Sequence, residues 1–252
     1  HVLFVPALSV ASELVSFVSC PIYRDTQAGR KSGCWLADNP QTGIRYDVTV
    51  SPTKPDWNYA VLVEGLVVDK GDAGVAADPC GGVALNPVRV SVLKESCPAY
   101  KLPAEGFSGR PYQLPERNVR PLAMARENPP GPYETKTFYL FFDHNQDFII
   151  YQFGDYFLDE AITWIRAAHP KSIEITGFAA TKPLDVSGRQ LAEEKSMGRR
   201  RAEKLKEALV RLGIAPDTIR VTWRENPEII DVDGADGLPD ASLRRVEIKA
   251  VM

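Results

Sequence analysis

A concentration of prolines divides this chain more sharply than any other feature of its sequence. Eight of the 20 prolines lie between residues 98 and 134, at positions 98, 103, 111, 115, 121, 129, 130 and 132. Proline fixes the backbone φ angle and cannot donate a backbone hydrogen bond, so this segment favours an extended connection. We therefore predict two domains, at 1–107 and 136–252, joined by a proline-rich linker over 108–135.

The first domain is predicted to be small and all-β. Residues 43–50 and 88–93 alternate apolar and polar side chains with the period of a strand, and residues 60–68 form a continuous apolar run rich in β-branched residues. Prolines, glycines and aspartates separate these runs. Short strands divided by such turn residues are typical of a small β-barrel or sandwich.

The start of the chain is predicted to be helical. Apolar residues on one side of residues 9–18 predict a helix that begins near Ser9. The chain starts at His1 rather than at a methionine, so we expect a processed or trimmed product. No uninterrupted apolar run reaches the length of a membrane-spanning helix, so we expect no transmembrane segment.

All four cysteines lie in the first predicted domain, at Cys20, Cys34, Cys80 and Cys97. An even number of cysteines in one region is typical of disulfides formed in an oxidising compartment. Of the three possible connectivities we favour Cys20–Cys34 with Cys80–Cys97, because each pair flanks a glycine-containing turn. Four reduced cysteines in a cytosolic protein are the alternative. A zinc site is not indicated, because no Cys-x-x-Cys spacing occurs.

The second domain is predicted to mix helices and strands. The elements are, in order, a strand over 137–142, a helix over 157–165, a strand over 172–176, a helix from about Ser187 to Leu212, and strands over 219–223 and 245–250. The order β-α-β-α-β-β predicts an α+β sandwich, in which two helices pack against one sheet.

Five short motifs follow one another in this second half. They are Phe142-Asp143; Leu158-Asp159-x-Ala161 with His169-Pro170; Ile173-Glu174-Ile175-x-Gly177; Arg200-Arg201-Ala202-Glu203-x-Leu205 with Leu212-Gly213-Ile214; and Arg244-Arg245-Val246-Glu247-Ile248. In this order they resemble the OmpA-like domain, the peptidoglycan-binding module of outer-membrane proteins, peptidoglycan-associated lipoproteins and flagellar stator subunits. The resemblance covers about 137–252.

The resemblance implies a binding site for the peptide stem of peptidoglycan at its diaminopimelate. That end of the ligand carries an ammonium group and carboxylates, so the site needs a cation and an anion. Arg201 matches the family's ligand arginine, whose fork can bind a carboxylate with two hydrogen bonds. Asp143, beside Phe142, matches a second ligand position, and Met197 takes the place of an apolar wall residue.

The ligand loop departs from the family's pattern. The family usually reads Gly-His-Thr-Asp, with the aspartate on the ligand's ammonium, whereas residues 177–180 read Gly-Phe-Ala-Ala. An asparagine and a serine of the helix motif are replaced by Glu194 and Gly198. Losing one charge-assisted hydrogen bond weakens binding about 10- to 100-fold. We expect either that the site no longer binds, or that Asp185 or Glu194 replaces the missing acid.

Other functions are less well supported by the sequence. With 30 basic and 33 acidic residues the chain has no excess of positive charge, so we expect no nucleic-acid partner. The three arginines at 199–201 lie among glutamates, which favours a solvated helix face. The acidic stretch 231–237 departs from EF-hand spacing, so we predict no metal. His144 and His169 have no nearby Ser or Cys motif, and we expect neither catalysis nor a cofactor.

Taken together, the sequence predicts a non-enzymatic scaffold protein of the Gram-negative cell envelope, located in the periplasm and associated with the outer membrane. The OmpA-like domain would contact the peptidoglycan peptide stem, and the N-terminal domain would bind another envelope protein. The alternative is a protein-interaction component of a secretion- or conjugation-type assembly, in which peptidoglycan binding has been lost.

Overall fold

The computed structural model describes residues 13–26, 33–68, 80–104, 106–107 and 126–252. Most of the predicted linker, residues 108–125, therefore lies outside the described residues. The first half contains seven strands: β1 (Leu14–Ser19), β2 (Pro21–Arg24), β3 (Cys34–Asp38), β4 (Arg45–Asp47), β5 (Tyr59–Val67), β6 (Val83–Ser96) and β7 (Tyr100–Leu102). They form one mixed sheet, here called the N-terminal sheet, in the order β1-β5-β6-β4-β3-β2-β7.

The two longest strands, β5 and β6, form the middle of the N-terminal sheet as an antiparallel pair. Both contain runs of valine, and β-branched side chains pack well on a pleated surface. Side chains from five strands and the following turns form one apolar cluster beside them. Its buried members are Val15, Phe17, Ala37, Tyr46, Val48, Val61, Val63, Leu85, Val88 and Val90.

The helix predicted near Ser9 is wrong where the structure describes it. Residues Leu14–Ser19 are the strand β1, antiparallel to β5, and residues 1–12 lie outside the described residues. Val15 and Phe17, two residues apart, are both buried in the apolar cluster. The apolar spacing is therefore also compatible with a strand, and pairing with β5 decides between the two.

The disulfide pairing that we favoured is also wrong. The structure pairs Cys20 with Cys97 and Cys34 with Cys80, so the second loop is nested within the first. Cys20 follows β1 and Cys97 follows β6, which places them at the ends of two strands that both flank β5. Strand pairing over long sequence separations, rather than local turns, brings the cysteines together.

The second half contains β8 (Lys136–Phe141), α1 (Phe153–Ala168), β9 (Ser172–Ala179), β10 (Leu184–Val186), β11 (Arg189–Leu191), α2 (Met197–Arg211), a 3-10 turn (Pro216–Thr218), β12 (Ile219–Glu225), α3 (Pro239–Ser242) and β13 (Arg245–Val251). Four of the strands form the C-terminal sheet, in the order β12-β9-β13-β8. The predicted order β-α-β-α-β-β is confirmed for the long elements, and the hairpin β10–β11 and the short α3 are additions to it.

The helix α2 begins later than predicted, at Met197, and lies unusually close to the C-terminal sheet. A Cβ atom on Gly177 of β9 would lie 1.9 Å from the carbonyl oxygen of Gly198 in the first turn of α2. Only glycine permits this close approach between strand and helix. The contact fixes the first turn of α2 against β9 and so positions Arg201, which lies one turn further along.

The hairpin β10–β11 packs on the N-terminal sheet. Val186 is 4% exposed and lies in an apolar cluster with Val18, Ala60, Leu62 and Cys97. The next residue, Ser187, accepts a hydrogen bond from the Val18 amide over 3.2 Å. The insertion that lengthens the loop after β9 is therefore a contact between the two halves. Among the described residues no helix is long and apolar enough to cross a membrane.

Candidate functional site

The Arg201 side chain is 0% exposed, and every one of its N–H groups is bonded within the chain. Nε donates to the Gln146 carbonyl (2.9 Å), and Nη1 and Nη2 donate to the carbonyls of Phe178 (2.8 Å) and Asp143 (3.1 Å). The two remaining donors form a fork on the Glu193 carboxylate. A guanidinium has five N–H donors, and five acceptors surround this one.

Glu193 supplies the anion at this position. Its two oxygens accept the Arg201 fork and also the backbone amides of Asn145 and Ala180, each at 2.8 Å. Burial opposes ionisation of this carboxyl, but the Arg201 charge and its hydrogen bonds outweigh that cost, and the pKa of Glu193 lies below its ordinary value. The chain thus places its own carboxylate on the arginine.

Asp143 contributes to the site in a different way from the predicted one. Its backbone carbonyl accepts from Arg201, while its carboxylate accepts a 2.6 Å hydrogen bond from the Thr53 hydroxyl of the first half. Desolvation raises the pKa of Asp143, although the Thr53 bond and the charge of Arg89 act in the opposite direction. The carboxylate is therefore part of the contact between the halves.

The structure brings together three of the five ligand residues predicted from the sequence, and Met197 is buried one turn before Arg201 on α2. Arg201, Asp143, Phe142 and Met197 are all buried, and the Phe142 ring centroid lies 5.2 Å from the Arg201 guanidinium carbon. Asp185 is not among them. It lies exposed in the hairpin β10–β11, where it accepts from the Gly188 amide (3.1 Å) and the Gln190 side chain (2.7 Å).

Glu193 is the residue that sequence reasoning missed. The adjacent acid Glu194, which we expected to compensate for the missing aspartate, is exposed and pairs with Lys94 at 3.1 Å. The two glutamates precede α2 in an irregular segment, so no periodicity indicates which of them faces inward. The only indication in the sequence of an internal acid within reach of Arg201 was an acidic residue in the lengthened loop.

A second group of buried charges joins the two halves beside this site. Glu64 of β5 and Arg244, just before β13, form a buried ion pair. Arg89 of β6 donates to the Gly234 carbonyl at 2.6 Å, and its guanidinium lies 3.4 Å from a carboxylate oxygen of Asp236. The positively charged side chain of Arg89, from the N-terminal sheet, thus contacts the acidic stretch 231–237.

His144 lies at the same boundary. Its backbone amide donates to the Ser91 hydroxyl of β6 over 2.8 Å. Burial lowers the pKa of its imidazole to about 4, with a further contribution from Arg244 that the charges of Glu193 and Glu64 partly offset. The ring is therefore neutral at physiological pH.

The arrangement holds a carboxylate on a buried arginine, and this is its principal chemical capacity. Within the described ranges, no three His, Cys, Asp or Glu side chains are grouped as they would be around a metal ion. The described cysteines are all in disulfides. Among the described side chains, charge pairing between Arg201 and Glu193 is the interaction that the site provides.

No family model and no curated protein matches this chain. Among solved structures, it is similar to the OmpA-like domain of FopA1 from Francisella tularensis subsp. tularensis SCHU S4, at 15% identity and a TM-score of 0.35, over 46% of this chain and 71% of that one. It is also similar to the periplasmic domain of Helicobacter pylori MotB, at 17% identity and a TM-score of 0.33, over 47% of this chain and 77% of that one. The first of these structures is an OmpA-like domain, the family that the sequence motifs resemble.

Proposed function

We propose that this protein is a non-enzymatic scaffold of the cell envelope that acts through protein–protein contacts, and that Arg201 has a structural role. The observation that carries the proposal is the saturation of Arg201 by acceptors of its own chain. A ligand carboxylate would have to displace Glu193 and compete with a bidentate, fully desolvated ion pair. Peptidoglycan binding at this position is therefore disfavoured.

An oxidising location supports the same proposal. Both disulfides join residues far apart in the sequence, separated by 77 and 46 positions. Such pairs persist in the periplasm and are rare in the cytosol. We propose a periplasmic scaffold whose N-terminal sheet contacts another envelope protein, with outer-membrane association as a further part of the proposal.

Peptidoglycan binding is the second candidate function, and the geometry of the ion pair, as distinct from its occupation by Glu193, supports it. The Glu193 carboxylate is held in the two-bond geometry that Arg201 would offer to a carboxylate of the peptide stem. Movement of residues 180–196 would remove Glu193 and free the arginine fork. In this case Glu193 acts as an internal competitor of the ligand.

Co-sedimentation with insoluble peptidoglycan separates the two functions. We expect the wild-type protein to stay in the supernatant, and Glu193→Gln, checked for folding by circular dichroism, to stay there as well. Glu203→Gln, which neutralises an exposed glutamate on α2, is the matched control. Pelleting of the wild type that free diaminopimelate reverses would establish the second candidate instead.

The same incubation tests the absence of catalysis. We expect no soluble fragments to be released from purified peptidoglycan over hours at neutral pH. Chromatographic detection of released fragments, absent from a heat-denatured sample, would contradict a purely scaffolding role.

A further inference from the structure

The strand β12, Ile219–Glu225, forms one edge of the C-terminal sheet. It pairs in parallel with β9 on one side, and no described strand pairs with its other side. At the other edge of the sheet, β8 contacts α1, and the Tyr133 ring before β8 lies 5.7 Å from the Trp164 ring of α1. An open edge strand presents a row of backbone groups that can pair with another chain.

The backbone groups directed away from the sheet can be assigned from one hydrogen bond. The Asn226 amide, directly after β12, donates to the Ala179 carbonyl of β9 over 2.8 Å. Because N–H and C=O groups alternate in direction along a strand, those of Arg224, Thr222 and Arg220 also point to β9. The amides and carbonyls of Val221 and Trp223 are left directed outward.

The two faces of β12 differ in chemistry. One face carries the exposed arginines Arg220 and Arg224 with Thr222 between them, and neither arginine forms an ion pair or side-chain hydrogen bond with a described residue. The other face carries Val221, which is half-buried, and Trp223, which is 52% exposed.

This charge pattern disfavours a second copy of the chain as the partner. Two copies of β12 related by a two-fold axis would pair antiparallel, with residues of the same face opposite each other. The register centred on Thr222 places Arg220 of each copy opposite Arg224 of the other. Like charges directly opposite in an antiparallel pair are destabilising. In this register the two arginines act against self-pairing, and acidic residues opposite them in a partner strand would be favourable.

We propose that β12 accepts an extended segment of a partner protein as an additional strand, and that this segment alternates acidic with apolar residues. Its acids would face Arg220 and Arg224, and its apolar side chains would face Val221 and Trp223. Main-chain hydrogen bonds to Val221 and Trp223 would hold the strand, while the two faces select its sequence. This inference rests on the proposed role as an interaction scaffold and adds a contact surface on the C-terminal sheet to the one proposed on the N-terminal sheet.

The test uses the full chain and a fluorescent peptide with the alternating sequence Glu-Val-Glu-Val-Glu-Val-Glu, followed by anisotropy at low ionic strength. Val221→Pro removes one outward N–H but no bond to β9, since proline is tolerated on an edge strand with its nitrogen facing outward. The double variant Arg220→Glu/Arg224→Glu changes only the charged face. Lys204→Glu, on an exposed position of α2, is the control for net charge.

We expect saturable binding of the acidic peptide to wild type and to Lys204→Glu, loss of binding for Val221→Pro, and weakening of about tenfold or more for the double variant. A peptide with lysine in place of glutamate should not bind. Equal affinity for all variants, or no binding to a folded wild type, would overturn the proposal. So would a wild-type dimer in sedimentation velocity that Val221→Pro abolishes, because the edge would then be a self-interface. None of these outcomes involves peptidoglycan. The co-sedimentation experiment therefore tests the scaffold role independently of the peptide-binding experiment.

Discussion

Arg201 and Glu193 form an ion pair from which water is excluded on every side. Removing two charges from water costs several kcal/mol for each, so such a pair is retained more for the geometry that it imposes than for net stability. Here the pair links α2 to the loop after β9 and to residues 143–146. The Asn145 side chain adds two hydrogen bonds to Glu194 between two of these segments.

Glu193→Gln should be strongly destabilising, although it changes only one atom of the side chain. The variant leaves the Arg201 charge buried without a counter-ion, and breaking a buried pair in this way costs about 3–5 kcal/mol. Urea unfolding followed by circular dichroism measures the change in the free energy of unfolding. Glu203→Gln, on the exposed side of α2, should change it by less than about 0.5 kcal/mol. Similar values for the two variants would contradict the structural role of Glu193.

His144 should make the protein less stable in mild acid. Its folded-state pKa of about 4 lies below the ordinary value of 6.5, so the unfolded chain takes up a proton that the folded chain does not. The free energy of unfolding should therefore fall by about 2 kcal/mol between pH 7 and pH 5, and this group causes no further loss below about pH 4.

Replacement of the imidazole isolates this effect. In His144→Asn the pH dependence between 7 and 5 should become flatter, whereas the exposed His169→Asn should retain the wild-type slope. Asp143, whose raised pKa favours folding at acid pH, is present in both variants and cancels in the comparison. Parallel slopes for wild type and His144→Asn would show that another group titrates.

At the scale of elements, the hairpin β10–β11 is a short insertion that links the N-terminal sheet to the arginine site. Its outer end reaches the N-terminal sheet through Val186 and Ser187, and Arg189 pairs with Glu95 of β6 at 2.8 Å. Its return segment carries Glu193 back to Arg201. This one insertion thus packs against the N-terminal sheet through Val186 and supplies Glu193 as the ion-pair partner of Arg201.

Val186→Ala should reduce the free energy of unfolding by about 1–3 kcal/mol, because it removes two buried methyl groups from the cluster around Leu62 and Cys97. Leu184→Ala, at a position of the same hairpin that is 42% exposed, should have an effect below about 0.5 kcal/mol. Thermal unfolding of both variants checks the difference. If the two substitutions had equal effects, the hairpin would not be docked through Val186.

Helices and strands in which apolar residues recur at a regular spacing could be predicted from the sequence. The strands of the C-terminal sheet, the helix α1 and the end of α2 near Gly213 follow from apolar spacing and stop signals. Residues from about Ser187 are predicted as the start of the long helix, and Asp185 as part of the loop before it. Residues 184–191 instead form a hairpin because Val186 is buried by the other half, and such tertiary contacts have no local signature.

The arginine site likewise combines residues that local sequence motifs predict with contacts between residues far apart in the sequence. The surrounding motifs predict Arg201, Asp143 and Phe142, which the structure brings together, and Met197, which is buried one turn before Arg201. The role of Glu193 depends on the path of the whole loop back to Ala180, and the role of the Asp143 carboxylate depends on Thr53, 90 residues away in the sequence. Neither contact could be inferred from spacing.

At the scale of the whole molecule, the two halves share buried charges as well as apolar surface. Glu64 with Arg244, and Arg89 with Asp236, cross the boundary between the N-terminal and C-terminal sheets. Truncating either half would leave a buried charge of the other without its partner, which is strongly unfavourable. The halves are therefore expected to unfold together rather than separately.

Removal of the outer disulfide by Cys20→Ser/Cys97→Ser should lower the free energy of unfolding by about 2–4 kcal/mol. The Cys20–Cys97 bond closes a loop of 77 residues, and constraint of the unfolded chain increases with loop length. The inner pair remains in this variant, so the effect stays below that of full reduction. Peptide mapping without reductant provides the check on connectivity, and a Cys20–Cys34 cross-link in the wild type would contradict the nested arrangement.

The docked hairpin also determines the order in which the chain can complete its fold during synthesis. Val18, Leu62 and Cys97 acquire the Val186 side chain of their cluster only after residues 184–191 have emerged. Until then the N-terminal sheet exposes apolar surface, and Glu64 lacks its partner until Arg244 has also emerged, a state that invites aggregation or chaperone binding. A nascent chain must therefore be kept soluble until residues 184–191 and Arg244 are available, even though the described strands of the N-terminal sheet end at residue 102.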